Sequence, residues 1–581
     1  MKRREQSQTE QLRQALSERE AQLQEAQTRL AALEGSTSLQ VGRALTAAAK
    51  RPGRGLIKLP RDLFRLWRRS GTSAQGTGRR RRSEPVRSYD AERQEARLLS
   101  GTIGVREDKL VVAGVLSPEV QAALEPYVRV IPLRPQDAQV VLDSVDVDVV
   151  CVAASATAPG SLWAHAGDPA VADRTRTLNW VVESAAGRGT PTVLLADAPA
   201  PPALRTLAFD HIHEGDTGVP LHRFNPIAAE PEREPEPAYL PSAGHEGPVV
   251  HRLVETLDGV RRLDPRWDDL PGVLRAATGV VVDDAGLADR ALVCGARALL
   301  IGDRRTGRNP AGGPSLHSVP ADAGALRSGD AARELARMRE SGQLTAEELR
   351  LALRSVFLTD ATPVRLAEIL GKVAFAPGSG SASLPLRGRE SAIVACPADD
   401  NASLALAGDV LGQVHAPVEV VVPEAAAHFA GVERLRSHGL PLRIADGMAA
   451  VAAPGPADWA RLAQAATAPW AALWRGSRGE AFLADLLCAA ECSGADAVGP
   501  AISAWRGDGA PEGDPVDRAI ADQEYVFVSA IQPHLARREL LARGIQPGVW
   551  NRHGARLLAL GPVGDHREPA DHARTAPNVQ P

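Results

Sequence analysis

After about residue 98 the chain settles into short apolar runs divided by turn-forming residues. Residues 110–116, 145–153 and 192–196 are apolar stretches of strand length, and helical patterns at 119–124 and 175–186 fall between them. Strands that alternate with helices predict a parallel sheet covered by helices. The same alternation returns near the C-terminus, with strands expected at 391–396 and 418–422 and a helix at 404–414. Later, Phe482, Leu483, Leu486, Leu487 and Ala490 recur at the spacing of one apolar helical face. Between these two patterned regions lies Ala376-Pro377-Gly378-Ser379-Gly380-Ser381-Ala382-Ser383, a low-complexity stretch that reads as a flexible linker over 376–389.

The first 97 residues have a different pattern. Leu16, Leu23 and Leu30 are seven apart, and Leu12, Ala26 and Leu33 fill most of the alternate seam, so 1–35 reads as a short coiled coil interrupted by Arg19. Such a seam joins chains into a homo-oligomer; the competing reading is a single solvated helix. From 36 to 97 the composition turns basic. Lys58, Arg61, Arg65, Arg68 and Arg69 interleave with Leu63, Phe64, Leu66 and Trp67. That mixture suits a segment whose apolar side enters the headgroup region while its cations meet anionic lipid. Competing readings are that its apolar residues pack on the protein's own domains and that its arginines form a solvated face or, less favoured, bind nucleic acid. Pro60 and the Gly-rich stretch after Ser70 argue against one continuous helix.

At 581 residues the chain has room for several units at roughly 150 residues per domain. The net charge of −4 excludes a globally basic nucleic-acid binder. Among 67 basic residues only five are lysine, the mark of a GC-rich genome and not of a function. The five cysteines are scattered through apolar contexts, as expected of reduced thiols in a cytoplasmic protein. No apolar run approaches 18 residues and no signal peptide opens the chain, so the expectation is a cytoplasmic protein held, at most, peripherally at the inner face of the cell membrane. A Walker loop, HExxH and G-x-S-x-G are absent. His211 and His213 alternate along one strand, and Cys488 and Cys492 lie one helical turn apart, but neither pair has a third ligand fixed by spacing.

Two resemblances organise the rest. Asp146-Val147-Asp148-Val149-Val150-Cys151-Val152, Gly189-Thr190-Pro191-Thr192-Val193-Leu194, Phe209-Asp210-His211 and Asn225-Pro226-Ile227, followed by the stretches 279–284 and 289–303 and a closing helix near 364–370, resemble a CgeB-like glycosyltransferase of the spore-maturation type, of GT-B architecture. The stretch 468–499, with the strand patterns before it, resembles a family 2 glycosyltransferase of GT-A fold. What the two imply is an α/β protein: a GT-B-like pair of Rossmann-like domains at 98–228 and 229–375, then a degenerate GT-A-like domain at 390–565 and a polar tail at 566–581.

The function implied is cell-surface polysaccharide or glycoconjugate biosynthesis, with a nucleotide-sugar as the ligand. In the GT-B families the helix at Arg290 ordinarily opens with a Glu that accepts from ribose hydroxyls, whereas a guanidinium only donates. Gly295 keeps the helix-to-strand turn. In the GT-A family Asp399 and Asp400 stand in the nucleotide-contacting loop, where they serve equally as helix caps beside Asn401. The Asp-rich metal turn is replaced by Leu473-Trp474-Arg475-Gly476-Ser477-Arg478, and the acidic base pair by Pro547-Gly548-Val549-Trp550-Asn551-Arg552-His553-Gly554. Nucleotide-sugar contacts are therefore expected at Arg290, Gly295, Asp399 and Arg475, with no metal and no other cofactor. The alternatives are an active, metal-independent transferase and a non-catalytic scaffold for a partner transferase.

Overall fold

A computed structural model describes residues 109–561, except 169–170, 228–232, 242–253, 256, 302–315, 320–327, 374–380, 452 and 502–524. The expected coiled coil at 1–35, the basic segment with Leu63, Phe64, Trp67, Arg68 and Arg69, and the tail at 566–581 lie outside the described residues. The described chain is α/β, with its strands gathered into three sheets.

The first region runs β1 (Val111–Val115), α1 (Pro118–Leu124), β2 (Arg129–Pro132), α2 (Ala138–Ser144), β3 (Val149–Ala153), α3 (Ala172–Gly187), β4 (Thr192–Ala196), α4 (Pro202–Arg205) and β5 (His211–Glu214). Its strands lie in the order β2-β1-β3-β4-β5 and all pair in parallel. β1 and β3 are buried along their whole length. Helices cover both faces of such a sheet, so continuous apolar runs, and not alternation, mark its strands.

The second region runs β6 (Ala238–Leu240), β7 (Arg261–Arg262), α5 (Leu270–Ala276), β8 (Gly279–Val282), α6 (Ala285–Val293), β9 (Arg297–Ile301), β10 (Leu316–Val319), α7 (Ser328–Ser341), α8 (Ala346–Thr359) and α9 (Thr362–Leu370). The strand order β10-β9-β8-β6-β7 is again wholly parallel. Counted from its own first strand, it is the same order as in the first sheet. Thr345 starts α8 through a reciprocal capping box with Glu348. α9 then returns to the first region, where Leu366, Ile369, Leu370 and Val373 complete that region's core.

The third region opens with a 3-10 segment, Ser381–Arg389. The second half of the stretch read as a flexible linker is therefore folded, and Arg389 within it is buried. β11 (Ser391–Ala395), α10 (Asp400–Leu411), β12 (Glu419–Pro423), α11 (Ala430–Ser437), β13 (Leu442–Ala445), α12 (Pro456–Ala465), β14 (Trp470–Trp474) and α13 (Phe482–Ser493) follow. β15 (Ala497–Gly499), β16 (Val526–Phe527), β17 (Leu535–Arg537), α14 (Arg538–Ala542) and β18 (Leu557–Ala559) end the region. Its eight strands lie in the order β13-β12-β11-β14-β17-β15-β18-β16. β17 runs antiparallel to β14 and β15, and β16 antiparallel to β18.

α13 departs from the sequence expectation. The spacing of Phe482, Leu483, Leu486, Leu487 and Ala490 predicts one apolar face, yet Asp485, Cys488, Ala489, Cys492 and Ser493 are buried as well. A helix buried all round has neighbours on every side. Here they are the third sheet and α8 of the second region, and one continuous apolar core includes Val356 and Phe357 of α8 with Phe482, Leu483 and Leu486 of α13. The charges on α13 meet partners from upstream. Arg354 grips Asp485 through two hydrogen bonds of 2.7 Å, and Arg389 holds Glu491 in the same forked way at 2.7 and 3.0 Å. Among the described residues no helix is long and apolar enough to cross a membrane.

Candidate functional site

Ligands of open parallel sheets sit outside the carboxyl ends of the strands, where the strand order reverses. Each region has such an edge; Arg290, Asp399 and Arg475 belong to two of them, while Gly295 lies in the turn that leads into the amino end of β9.

In the second region α6 begins at Ala285, not at Arg290, because Asp284 caps it by accepting from the Leu287 N–H at 2.9 Å. Arg290 therefore lies in the helix's second turn. Its guanidinium donates to Asp216 at 2.7 Å and lies over the Phe224 and Trp267 rings. Asp216 follows β5 of the first region and also accepts from the Gly218 N–H at 3.1 Å. The pair therefore spans the gap between the first two sheets. Asp197, after β4, is held above the usual carboxylate range by burial, against the opposing pull of the Ser155 hydroxyl and N–H that donate to it. Gly295 is a turn residue: its φ is +86°, and a Cβ there would stand 2.5 Å from the Arg233 guanidinium. That arginine donates to the Ala277 and Cys294 carbonyls. Arg290 and Gly295 are both engaged by the protein itself.

An open cleft of about 590 Å³ lies beside the crossing into the second region, lined by His222, Arg223, Asp268, Asp269 and Arg275. Arg223 is paired with Asp268, and Arg275 donates to the Arg223 and Asn225 carbonyls, so its cations are held internally.

At the third edge the strand order reverses between β11 and β14. Asp399 is the N-cap of α10 and accepts from the Ala402 N–H at 2.8 Å, while Asp400 accepts from Ala430 at the start of α11. The helix accordingly starts four residues earlier than its apolar spacing suggests. Sequence reasoning missed Asp409, which comes across from α10. Its carboxylate accepts from the Arg478 N–H at 2.9 Å and the Ser477 hydroxyl at 3.3 Å, fixing the turn after β14. All three carboxylates hold backbone.

Arg475 differs. Its guanidinium lies over the Trp459 ring at 5.0 Å and, among the described residues, meets no carboxylate. Burial, and secondarily the neighbouring Arg478, lowers its pKa from the ordinary arginine value. The indole N–H groups of Trp459 and Trp474, at opposite faces of the sheet, are buried without hydrogen-bond partners. A divalent ion with a diphosphate needs several anionic oxygens. The turn supplies two guanidiniums instead, and no group of three His, Cys, Asp or Glu residues is placed to hold a metal among the described residues. The arrangement does not fit that ion.

The other candidates are structural. His213 faces the Asp216 carbonyl at 3.2 Å, and burial lowers the pKa of both His211 and His213. Cys488 and Cys492 are core residues of α13. The segment that replaces the acidic pair is a 3-10 turn, Pro547–His553, anchored by buried Trp550, with His553 exposed. No family model matches this chain, and no curated protein matches it.

Proposed function

We propose that this chain is a glycosyltransferase-like protein of cell-surface polysaccharide or glycoconjugate biosynthesis. In this reading the first two regions are a GT-B-like pair, the third is a degenerate GT-A-like domain, and the acidic chemistry of both clefts is lost. The repeated strand order of the first two sheets and the mixed third sheet support the reading at the level of fold, which is an analogy. The observation that carries it is Arg475. A half-buried guanidinium that meets no carboxylate among the described residues, at the point where the strand order reverses, suits an anionic ligand. Forked guanidinium–phosphate contacts are strong and need no ion, so Arg475 would take the diphosphate of a nucleotide-sugar directly.

Calorimetric titration of the full chain with UDP-, GDP- and TDP-sugars, in Mn²⁺ and in EDTA, tests this. Binding that is equal in both and lost in Arg475→Ala is the expected result. Binding that requires Mn²⁺ would refute it. The shared core of the second and third regions favours a second reading, a non-catalytic scaffold for a partner transferase; no binding under either condition would select it. The basic segment at 36–97 would hold either form at the inner membrane face, with the 1–35 seam joining copies. Co-sedimentation with anionic vesicles that survives deletion of residues 1–96 would overturn the membrane assignment.

A further inference from the structure

The three sheets belong to only two packed bodies. Sheet one and α9 enclose one apolar core, while the helix-facing sides of sheets two and three share another. The two cores are separate clusters among the described residues, and Leu384 of the 3-10 segment packs against the first. The chain passes between them near Val219 and near Ala361, which pair as a single parallel bridge, and a third time after α9, on the way to the 3-10 segment Ser381–Arg389. The Val219 N–H donates to the Asp360 carbonyl at 2.8 Å, and the Thr362 N–H donates to the Val219 carbonyl at 3.0 Å. Two of the three crossings are neighbours, so the bodies have a pivot or hinge at the Val219–Ala361 bridge, and relative motion is the default for bodies with separate cores.

One buried junction spans that hinge. The Tyr127 hydroxyl, from the first region, donates to Glu491 of α13 at 2.6 Å. Glu491 is held on its other side by the Arg389 fork. Arg389 in turn donates to the Phe357 carbonyl of α8 at 2.5 Å and stacks over the Phe357 ring at 3.9 Å. The side chains of Arg389 and Glu491 are 7% and 12% exposed, so parting them would strand charges out of water.

We infer that the third region acts as a brace: the Tyr127–Glu491–Arg389 junction fixes the angle between the first region and the body formed by the second and third. The cleft between the first two sheets is thereby held at one width, instead of closing on a ligand. The Asp216–Arg290 pair also spans this cleft, but Asp216 is 34% exposed, and it ranks as the weaker tie.

Pulsed dipolar spectroscopy on the full chain, in a Cys396→Ser background, reads this directly. Spin labels at Ala186→Cys and Ala336→Cys report the angle across the hinge; labels at Ala336→Cys and Ala425→Cys report the second body alone. Both pairs should give one narrow distance in the otherwise native chain. Glu491→Gln, and the gentler Tyr127→Phe, should abolish the single narrow peak for the first pair and leave the second pair unchanged, while Asp216→Ala should disturb the first pair less. A broad native distribution across the hinge would overturn the brace. So would an unchanged first pair in both junction variants, or a larger effect from Asp216→Ala.

Discussion

The carboxyl edges of the second and third regions each present an arginine where the resembled families place acid, and the two are held differently. Arg290 is paired with a carboxylate from the neighbouring region, whereas Arg475 rests on an indole ring and meets no carboxylate among the described residues. A missing acidic residue therefore has two structural meanings. At one edge the charge is neutralised within the fold, by a carboxylate from the neighbouring region. At the other the guanidinium meets no carboxylate among the described residues, and this is the edge where the proposed anionic ligand would be read.

The contrast between paired and unpaired guanidiniums is most easily broken at Arg354. Asp485 is only 6% exposed, and removing it as Asp485→Ala leaves the Arg354 guanidinium without its fork between α8 and α13. The expected loss in denaturant unfolding is about 3–5 kcal/mol. A loss below about 1 kcal/mol would place the pair with ordinary surface ion pairs and weaken the case that the second and third regions fold as one body. Arg475→Ala is expected to behave in the opposite way. It should weaken UDP-sugar binding by at least about tenfold, or ~1.4 kcal/mol, and leave the melting temperature unchanged or raised, because it removes a half-buried charge that no carboxylate among the described residues offsets. A drop in melting temperature matching that of Asp485→Ala would show that Arg475 is structural after all.

Between these lies Asp216→Asn, which keeps the shape and removes the charge facing Arg290. Its cost should be about 1 kcal/mol, since the carboxylate is partly open to water. A sharper outcome is functional. Titration with inorganic phosphate should detect a new weak site in the variant that is lost again when Arg290→Ala is added. Failure of phosphate to bind there would mean that the cleft is closed by more than this one pair.

The strand elements were the most legible part of the chain. Thr192–Ala196 coincides with its apolar run, and Val111–Val115 lies within one residue of it at each end, because both-face burial leaves an uninterrupted signal. β7 had no such signal: Arg261 and Arg262 are exposed and form a strand only by pairing beside β6. Nor does β17 carry a strand-length apolar run: Leu535–Arg537 form a strand through antiparallel pairing with β14 and β15. The capping box at Thr345 and Glu348 was visible in sequence and marks α8, a helix the periodicity left unassigned. The acids of α13 were the least legible, since Asp485 and Glu491 look like an exposed polar face until residues more than a hundred positions upstream supply their arginines. For the site the limit was similar. Local spacing identified Asp399 as a cap, but no local pattern announces that Asp409 reaches the turn after β14.

The smallest expected effect concerns a paired guanidinium whose partner titrates. Arg297 is 5% exposed and holds Glu348 through hydrogen bonds of 3.0 and 2.9 Å, while the Thr345 N–H adds a third donor at 2.8 Å. Burial pushes the Glu348 carboxyl up, but the Arg297 guanidinium and the Thr345 donors outweigh it and hold the carboxyl down at about 2, from an ordinary 4.5. A carboxyl depressed in the folded state binds its proton more readily when unfolded, so protons favour unfolding. Its contribution is complete above about pH 4.5 and disappears as the pH falls to about 2. Stability measured by denaturant midpoint between pH 5 and pH 2.5 should therefore fall less steeply in Glu348→Gln than in the native chain. Glu348 is not alone in this: against the opposing effect of burial, hydrogen bonds from Ala468, Thr467 and Arg443 also hold the Glu419 carboxyl low. The test is thus the difference between the two slopes and not either slope alone. Parallel slopes would mean that water screens Glu348 enough to erase the advantage, and that pairing with a buried arginine does not by itself make an acid of this protein pH-sensitive.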